Sequence, residues 1–229
     1  MTSTKASSPA AGLRFLLDTA DRGAWAEWLP LGFFHGVTTN PVLLEAAGLP
    51  CAIPALETLA RTAFDLGAGE IHMQTWGRTR DRYADHGRAL AAIDGRVVVK
   101  APTTVEGVAA AARLKGDGVR LTMTAVYSAA QTLVASALGA DYAAPYLGRM
   151  NDAGHDGFGE IAGMARAARA HGSTMRILVA SLRDPGDVVR LAEQGLDTFT
   201  FSPKVAAAFF ADDLARQAVE AFEVAAESR

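Results

Sequence analysis

The 229-residue chain contains a single cysteine, Cys51. One thiol cannot build an internal disulfide framework or a cysteine-based zinc site, and it fits a reducing cytoplasm. Lysine is also scarce: Lys5, Lys100, Lys115 and Lys204 stand against eighteen arginines. The formal net charge is −3 and the pI is about 5.9. There is no basic field for nucleic acid and no lysine–arginine tract for an anionic membrane. No apolar run approaches the roughly 20 residues of a membrane span. No G-x-G-x-x-G follows the first strand and no G-x-x-x-x-G-K-[ST] occurs, so neither nucleotide signature is available. The first twelve residues, rich in Ser, Thr, Ala and Pro, lack the apolar run of a signal peptide. They read as a disordered leader to one domain over residues 13–229. The expectation is a cytoplasmic protein that binds neither nucleic acid nor membrane.

What is present is a large apolar fraction, half of all residues, in a repeating order. Short β-rich runs fall at 13–19, 36–39, 70–75, 97–101, 119–126, 141–147, 174–181 and 197–202. Helical patterns fall between them at 23–31, 41–66 (in two pieces), 79–93, 105–114, 128–138, 157–170 and 184–193, with a last helical region over 203–228. Helix-end chemistry supports the division. Thr103 to Glu106 reads as a capping box, and Asp184-Pro185 as an N-cap followed by proline at the first helical position. Gly67, Gly139, Gly172 and Gly195 stop their helices. Alternating strands and helices imply a parallel sheet. Eight units of this size predict an α/β fold, a single-domain (β/α)8 TIM barrel with an extra C-terminal helix. An open doubly wound sheet is the alternative.

In a barrel the carboxyl ends of the strands carry the chemistry. Lys100 closes the run Val97-Val98-Val99-Lys100, where a charged amine is costly to bury. One account is structural, an ion pair or a stem that snorkels to water. The other is chemical, because a desolvated lysine can lose its proton and attack a carbonyl, which arginine cannot. Strand parity puts Lys100 on the face of Val98, Asp18 with Leu16, Thr124 with Thr122 and Tyr146 with Ala144. If those faces point inward, the mouth gathers Asp18, Asn40, Gln74, Lys100, Thr124, Tyr146 and Ser181. Each alone has a plain explanation, such as a helix cap or a satisfied core hydroxyl. Together they suit Schiff-base carbon–carbon chemistry, with Lys100 as nucleophile and Asp18 as base. Gln74, Thr124 and Tyr146 would hold a water, and Thr38 and Asn40 would contact substrate. Arg149, with Ser181 and Arg183 ahead of a helix, suits a phosphate.

These residues also carry a resemblance. Phe15-Leu16-Leu17-Asp18-Thr19-Ala20, Gly36-Val37-Thr38-Thr39-Asn40-Pro41 and Val98-Val99-Lys100-Ala101-Pro102 resemble signature blocks of the transaldolase family. Thr124-Ala125-Val126-Tyr127-Ser128-Ala129-Ala130-Gln131 and Ala144-Pro145-Tyr146-Leu147-Gly148-Arg149 are similar to its next two. The blocks run in order over nearly the full chain. The branch most resembled is that of the small fructose-6-phosphate aldolases and short transaldolases. Gln74 and Tyr146 look like the aldolase subtype, since transaldolases proper usually carry glutamate and phenylalanine there. Thr122 replaces an asparagine common in transaldolases. The segment Gly148-Arg149 through Gly154-His155-Asp156-Gly157 is closer to the short transaldolases, with His155 shaping the loop. The resemblance implies the roles already argued, no cofactor, no metal, a sugar phosphate substrate and a homo-oligomer, pentamer or decamer. Aldolase and transaldolase differ in what removes the dihydroxyacetone unit from Lys100, water or an aldehyde. Two further alternatives stand beside them: a non-catalytic sugar-phosphate-binding barrel, and an enzyme holding pyridoxal phosphate on Lys100.

Overall fold

The computed structural model describes residues 12–228; apart from Gly12, the expected leader lies outside them. Eight strands close into one barrel in sequence order, every neighbouring pair parallel. They are β1 (Arg14–Asp18), β2 (Phe34–Thr38), β3 (Glu70–Gln74), β4 (Val97–Pro102), β5 (Leu121–Val126), β6 (Tyr142–Pro145), β7 (Arg176–Val179) and β8 (Thr198–Phe201). The barrel excludes the open-sheet alternative. No helix among the described residues is long and apolar enough to cross a membrane.

The helices form the outer ring. They are α1 (Arg22–Trp28), α2 (Pro41–Ala46), α3 (Ile53–Asp65), α4 (Arg80–Ala91), α5 (Val105–Gly116), α6 (Ala129–Ala137), α7 (Leu147–Asp152), α8 (Gly157–Ala170), α9 (Pro185–Glu193), α10 (Pro203–Ala208) and α11 (Asp213–Glu227). The four stop glycines all adopt positive φ, and Asp184 caps α9 through the Asp187 N–H. Two expectations are corrected. The residue capping α5 is Thr104, whose hydroxyl accepts from the Gly107 N–H. Glu106 is taken instead by Arg80, from both its backbone N–H and its guanidinium. Residue 147 belongs to a helix rather than to a strand. Pro145 ends β6, and α7 starts two residues later.

Strand parity splits the apolar residues between two cores. A small cluster of Leu16, Val98, Tyr142, Ala144 and Leu178 fills the barrel, with Tyr146 packed on it. The larger cluster, including Val97, Val99, Met73 and Val179, lies between sheet and helices. Below the small cluster sits a buried charge network. Glu70 accepts from Tyr142 at 2.7 Å and from Arg120 at 2.6 Å, and lies 3.0 Å from His72 Nε2. Arg14 donates to the Tyr142 hydroxyl at 2.6 Å. Burial alone would raise the Glu70 pKa. Nearby His35, at 3.7 Å, and the hydrogen bonds from His72 and Tyr142 outweigh that, and hold the carboxyl well below the usual range. Burial pushes the His72 imidazole down, toward neutrality. Neutral His72 therefore donates Nε2–H to Glu70 and accepts at Nδ1 from Thr122, 2.8 Å away. Gly36 makes room for Glu70: a Cβ there would lie 2.2 Å from the Glu70 carbonyl oxygen.

Helix α11 ends the described chain differently. None of its residues is buried, and Leu214 and Phe222 are 75% and 69% exposed.

Candidate active site

A cavity of about 410 Å3 opens at the C-terminal end of the barrel. Asp18, Thr38, Asn40, Gln74, Lys100, Tyr146, Arg149 and Ser181 line it, and Leu43, Leu178 and Thr200 are among the other wall residues. These groups come from different strand ends, so closure of the barrel is what brings them together.

Lys100 is 5% exposed, and its amine donates to the Thr39 carbonyl oxygen at 2.9 Å. Burial drives its pKa down, and the charge of Asp18 opposes this only in part. The amine is therefore biased toward its neutral, nucleophilic form. Asp18 is held on one side by Thr38, whose hydroxyl donates to Oδ1 at 2.6 Å. Thr38 is 1% exposed, so its polar atom serves the carboxylate. Asn40 caps α2, its Oδ1 accepting from the Val42 and Leu43 N–H groups. The cap uses the oxygen and leaves the Asn40 amide donors for the cavity.

Gln74 ends β3 in register with Lys100. Thr124 does not line the cavity; it lies behind Tyr146, with the two hydroxyls 2.7 Å apart. Burial raises the Tyr146 pKa, with the Asp18 charge adding to it and the Thr124 hydrogen bond opposing it. The phenol stays protonated and can donate. A bulge in β5 between Thr124 and Val126 leaves Ala125 at φ +57°, turning that strand end.

Arg149 projects from the first turn of α7, its guanidinium carbon 5.6 Å from the Tyr146 ring centre. Ser181 sits at φ +60°, a left-handed conformation unusual for serine. Its carbonyl accepts from the Gly148 N–H at 2.9 Å. Gly148 permits this approach, because a Cβ there would lie 2.5 Å from the Ser181 carbonyl oxygen and 2.7 Å from Arg183 Nε. Arg183 is exposed, does not line the cavity, and is paired with Asp152. The His155 side chain is also exposed and away from the cavity, while its N–H closes the turn after α7 on the Met150 carbonyl. Sequence reasoning finds Thr200 among the polar residues of the eighth strand but does not place it in the site. It lines the cavity floor and lies 2.6 Å from Thr38.

Fold and cavity together define a barrel of the enzyme type, with a buried lysine and a carboxylate at the face where barrel enzymes work. The family described as Transaldolase/Fructose-6-phosphate aldolase matches residues 15–228. The chain belongs to that family, and it is an enzyme of the transaldolase/aldolase type. A probable transaldolase of Caulobacter sp. (strain K31) is 34% identical over 210 residues, 92% of this chain and 94% of that protein. A probable transaldolase of Anaeromyxobacter dehalogenans (strain 2CP-C) is 34% identical over 188 residues, 82% and 84% of the two chains. Among solved structures, thiamine phosphate pyrophosphorylase from Pyrococcus furiosus aligns with a TM-score of 0.59 at 12% identity, covering 83% of this chain and 85% of that one. That likeness shows the shared barrel alone.

Proposed function

We propose that the protein is a class I, Schiff-base aldolase acting on a ketose phosphate, in the manner of a fructose-6-phosphate aldolase. The observation that carries this reading is the buried Lys100 amine, its pKa lowered by burial, in one cavity with Asp18. The neutral amine adds to the C2 ketone, and loss of water gives an iminium. Asp18 takes the proton of the C4 hydroxyl, and the C3–C4 bonding electrons pass into the iminium. An aldehyde leaves and a dihydroxyacetone enamine stays on Lys100. Protonation at C3 and hydrolysis then free dihydroxyacetone and the amine. Tyr146, backed by Thr124, and Gln74 hold the water of these steps. Asn40 stands on the substrate-hydroxyl side, Thr38 holds Asp18, and Arg149 and Ser181 take the phosphate. Arg183 reaches that phosphate only by leaving Asp152. This proposed cycle uses neither metal nor cofactor.

A second reading, transfer of the dihydroxyacetone unit to an aldose or aldose phosphate acceptor, is favoured by the names of the relatives, which are probable transaldolases. Gln74 and Tyr146 favour release to water. The balance is a modest difference in barriers, since about 1.4 kcal/mol is tenfold in rate. Product analysis separates the two. Free dihydroxyacetone from fructose 6-phosphate alone supports the aldolase. Turnover only after an aldose phosphate acceptor is added moves the assignment to transfer.

The same reading includes a homo-oligomer, a pentamer or decamer. The support is α11, whose unburied Leu214, Val219 and Phe222 give one chain an apolar helix face. Sedimentation of the intact protein, beside a Phe222→Glu variant, tests it; a monomer in both would refute it.

A further inference from the structure

We propose that Thr200 is a positioning residue for Asp18, acting through Thr38. This rests on the reading of Asp18 as the base for carbon–carbon cleavage. The Thr38 hydroxyl oxygen lies 2.6 Å from Asp18 Oδ1 and 2.6 Å from the Thr200 hydroxyl oxygen. A hydroxyl has one proton to donate. An ionised carboxylate has none, so Thr38 gives its proton to Asp18. The remaining bond then needs the proton of Thr200. The direction is fixed by this count: Thr200 donates to Thr38, and Thr38 donates to Asp18.

The relay is built across the seam of the barrel. Thr38 is in register with Asp18 on the neighbouring strand β2, and Thr200 is in register with Leu16 from the other side, on β8. Three consecutive strands around the closure, β8, β1 and β2, thus supply the three groups. Thr38 and Thr200 are 1% and 3% exposed. In such a site, accepting from Thr200 makes the Thr38 hydroxyl a stronger donor to the carboxylate. Thr38 also occupies Oδ1. The free oxygen, Oδ2, therefore takes the proton when the substrate C4 O–H bond breaks. The relay selects which carboxylate oxygen is the base and restricts its rotation, a matter of geometry to which cleavage rates are sensitive.

The steps of the reaction divide the test. Imine formation depends on Lys100, while cleavage depends on Asp18. Thr200→Val keeps the shape and loses the hydroxyl, whereas Thr200→Ser keeps the hydroxyl. With fructose 6-phosphate, Thr200→Val should lose about tenfold in kcat with KM within about twofold, and Thr200→Ser should recover most of it. Borohydride trapping of dihydroxyacetone on Lys100 should be unchanged in both. Because Thr200 acts only through Thr38, the double variant Thr38→Val/Thr200→Val should be no slower than Thr38→Val alone. Thr200→Ala serves in the same comparisons should Thr200→Val fail to fold. Wild-type cleavage by the hydroxyl-free variant, equal losses in Val and Ser, or additive losses in the double variant overturn the positioning role. A wild-type protein that gives no Lys100 adduct overturns the Schiff-base reading instead, and the positioning role with it.

Discussion

The Lys100 amine donates to the carbonyl oxygen of Thr39, not to a carboxylate, at 2.9 Å. Thr39 is itself fixed, its N–H donating to the His72 carbonyl at 2.9 Å. A backbone carbonyl can accept from an ammonium or from a neutral amine, so it orients the nitrogen without supplying a full counter-charge. Burial is then left to lower the pKa, and only the more distant influence of Asp18 resists.

Lys100→Met removes both the proposed nucleophile and the cost of burying or deprotonating its amine on folding. Activity should fall by at least about a thousandfold. Stability at neutral pH should rise by about 1 kcal/mol, because folding no longer has to bury or deprotonate that amine. The folded pKa of Lys100 lies below its unfolded one, so the folded state binds fewer protons. The penalty is complete below the folded value and vanishes above the unfolded one. The stability gap between variant and wild type should therefore narrow as pH rises through the ordinary lysine range. Urea melts across pH check it.

Glu70 sits outside the reaction and inside the stability of the barrel. Glu70→Gln should cost about 2 kcal/mol, less than a fully buried pair because Arg120 is partly exposed, and leave kcat within about threefold. Here the folded pKa lies below the unfolded one. The stabilisation is complete above the ordinary carboxylate range and is lost as pH falls through the folded value. The difference between variant and wild type should shrink in acid, read by thermal melts at successive pH values.

Gln74→Glu places a carboxylate in register with Lys100, at the position proposed to hold water. If Gln74 sets the fate of the enamine, the ratio of transfer to hydrolysis should rise severalfold when an acceptor aldehyde is present. An unchanged ratio removes Gln74 from that role.

Gly148→Ala puts a methyl group where Ser181 and Arg183 already approach. The loops after β6 and β7 must part, carrying Arg149 and Ser181 away from one another. KM for fructose 6-phosphate should rise about tenfold, while KM for unphosphorylated dihydroxyacetone in the reverse direction stays within about twofold. Equal changes in both would detach these loops from phosphate binding.

The eight strands were legible because most are short apolar runs rich in β-branched or aromatic residues, each preceded within a few residues by a glycine. The inward face was legible too: Val98 predicts Lys100, and Leu16 predicts Asp18, because alternation is a local rule. Helix α7 was not, since Pro145-Tyr146-Leu147 suits an extended chain as well as a strand followed at once by a helix. The α5 cap fell one residue from expectation because Arg80, on another helix, claims Glu106. The place of Thr200 in the site was not legible for a different reason. Its bond to Thr38 joins residues 162 apart in sequence, and exists only because β8 closes on β1. The buried Glu70, His72 and Tyr142 likewise read as ordinary strand residues until closure aims them at one another.

The proposed mechanism stands on a covalent intermediate at Lys100. Borohydride reduction of the protein with dihydroxyacetone or fructose 6-phosphate, followed by peptide mass mapping, tests it most directly. One reduced three-carbon adduct on the peptide containing Lys100 is the expected result. No adduct, or an adduct on Lys115 or Lys204 in its place, would contradict it.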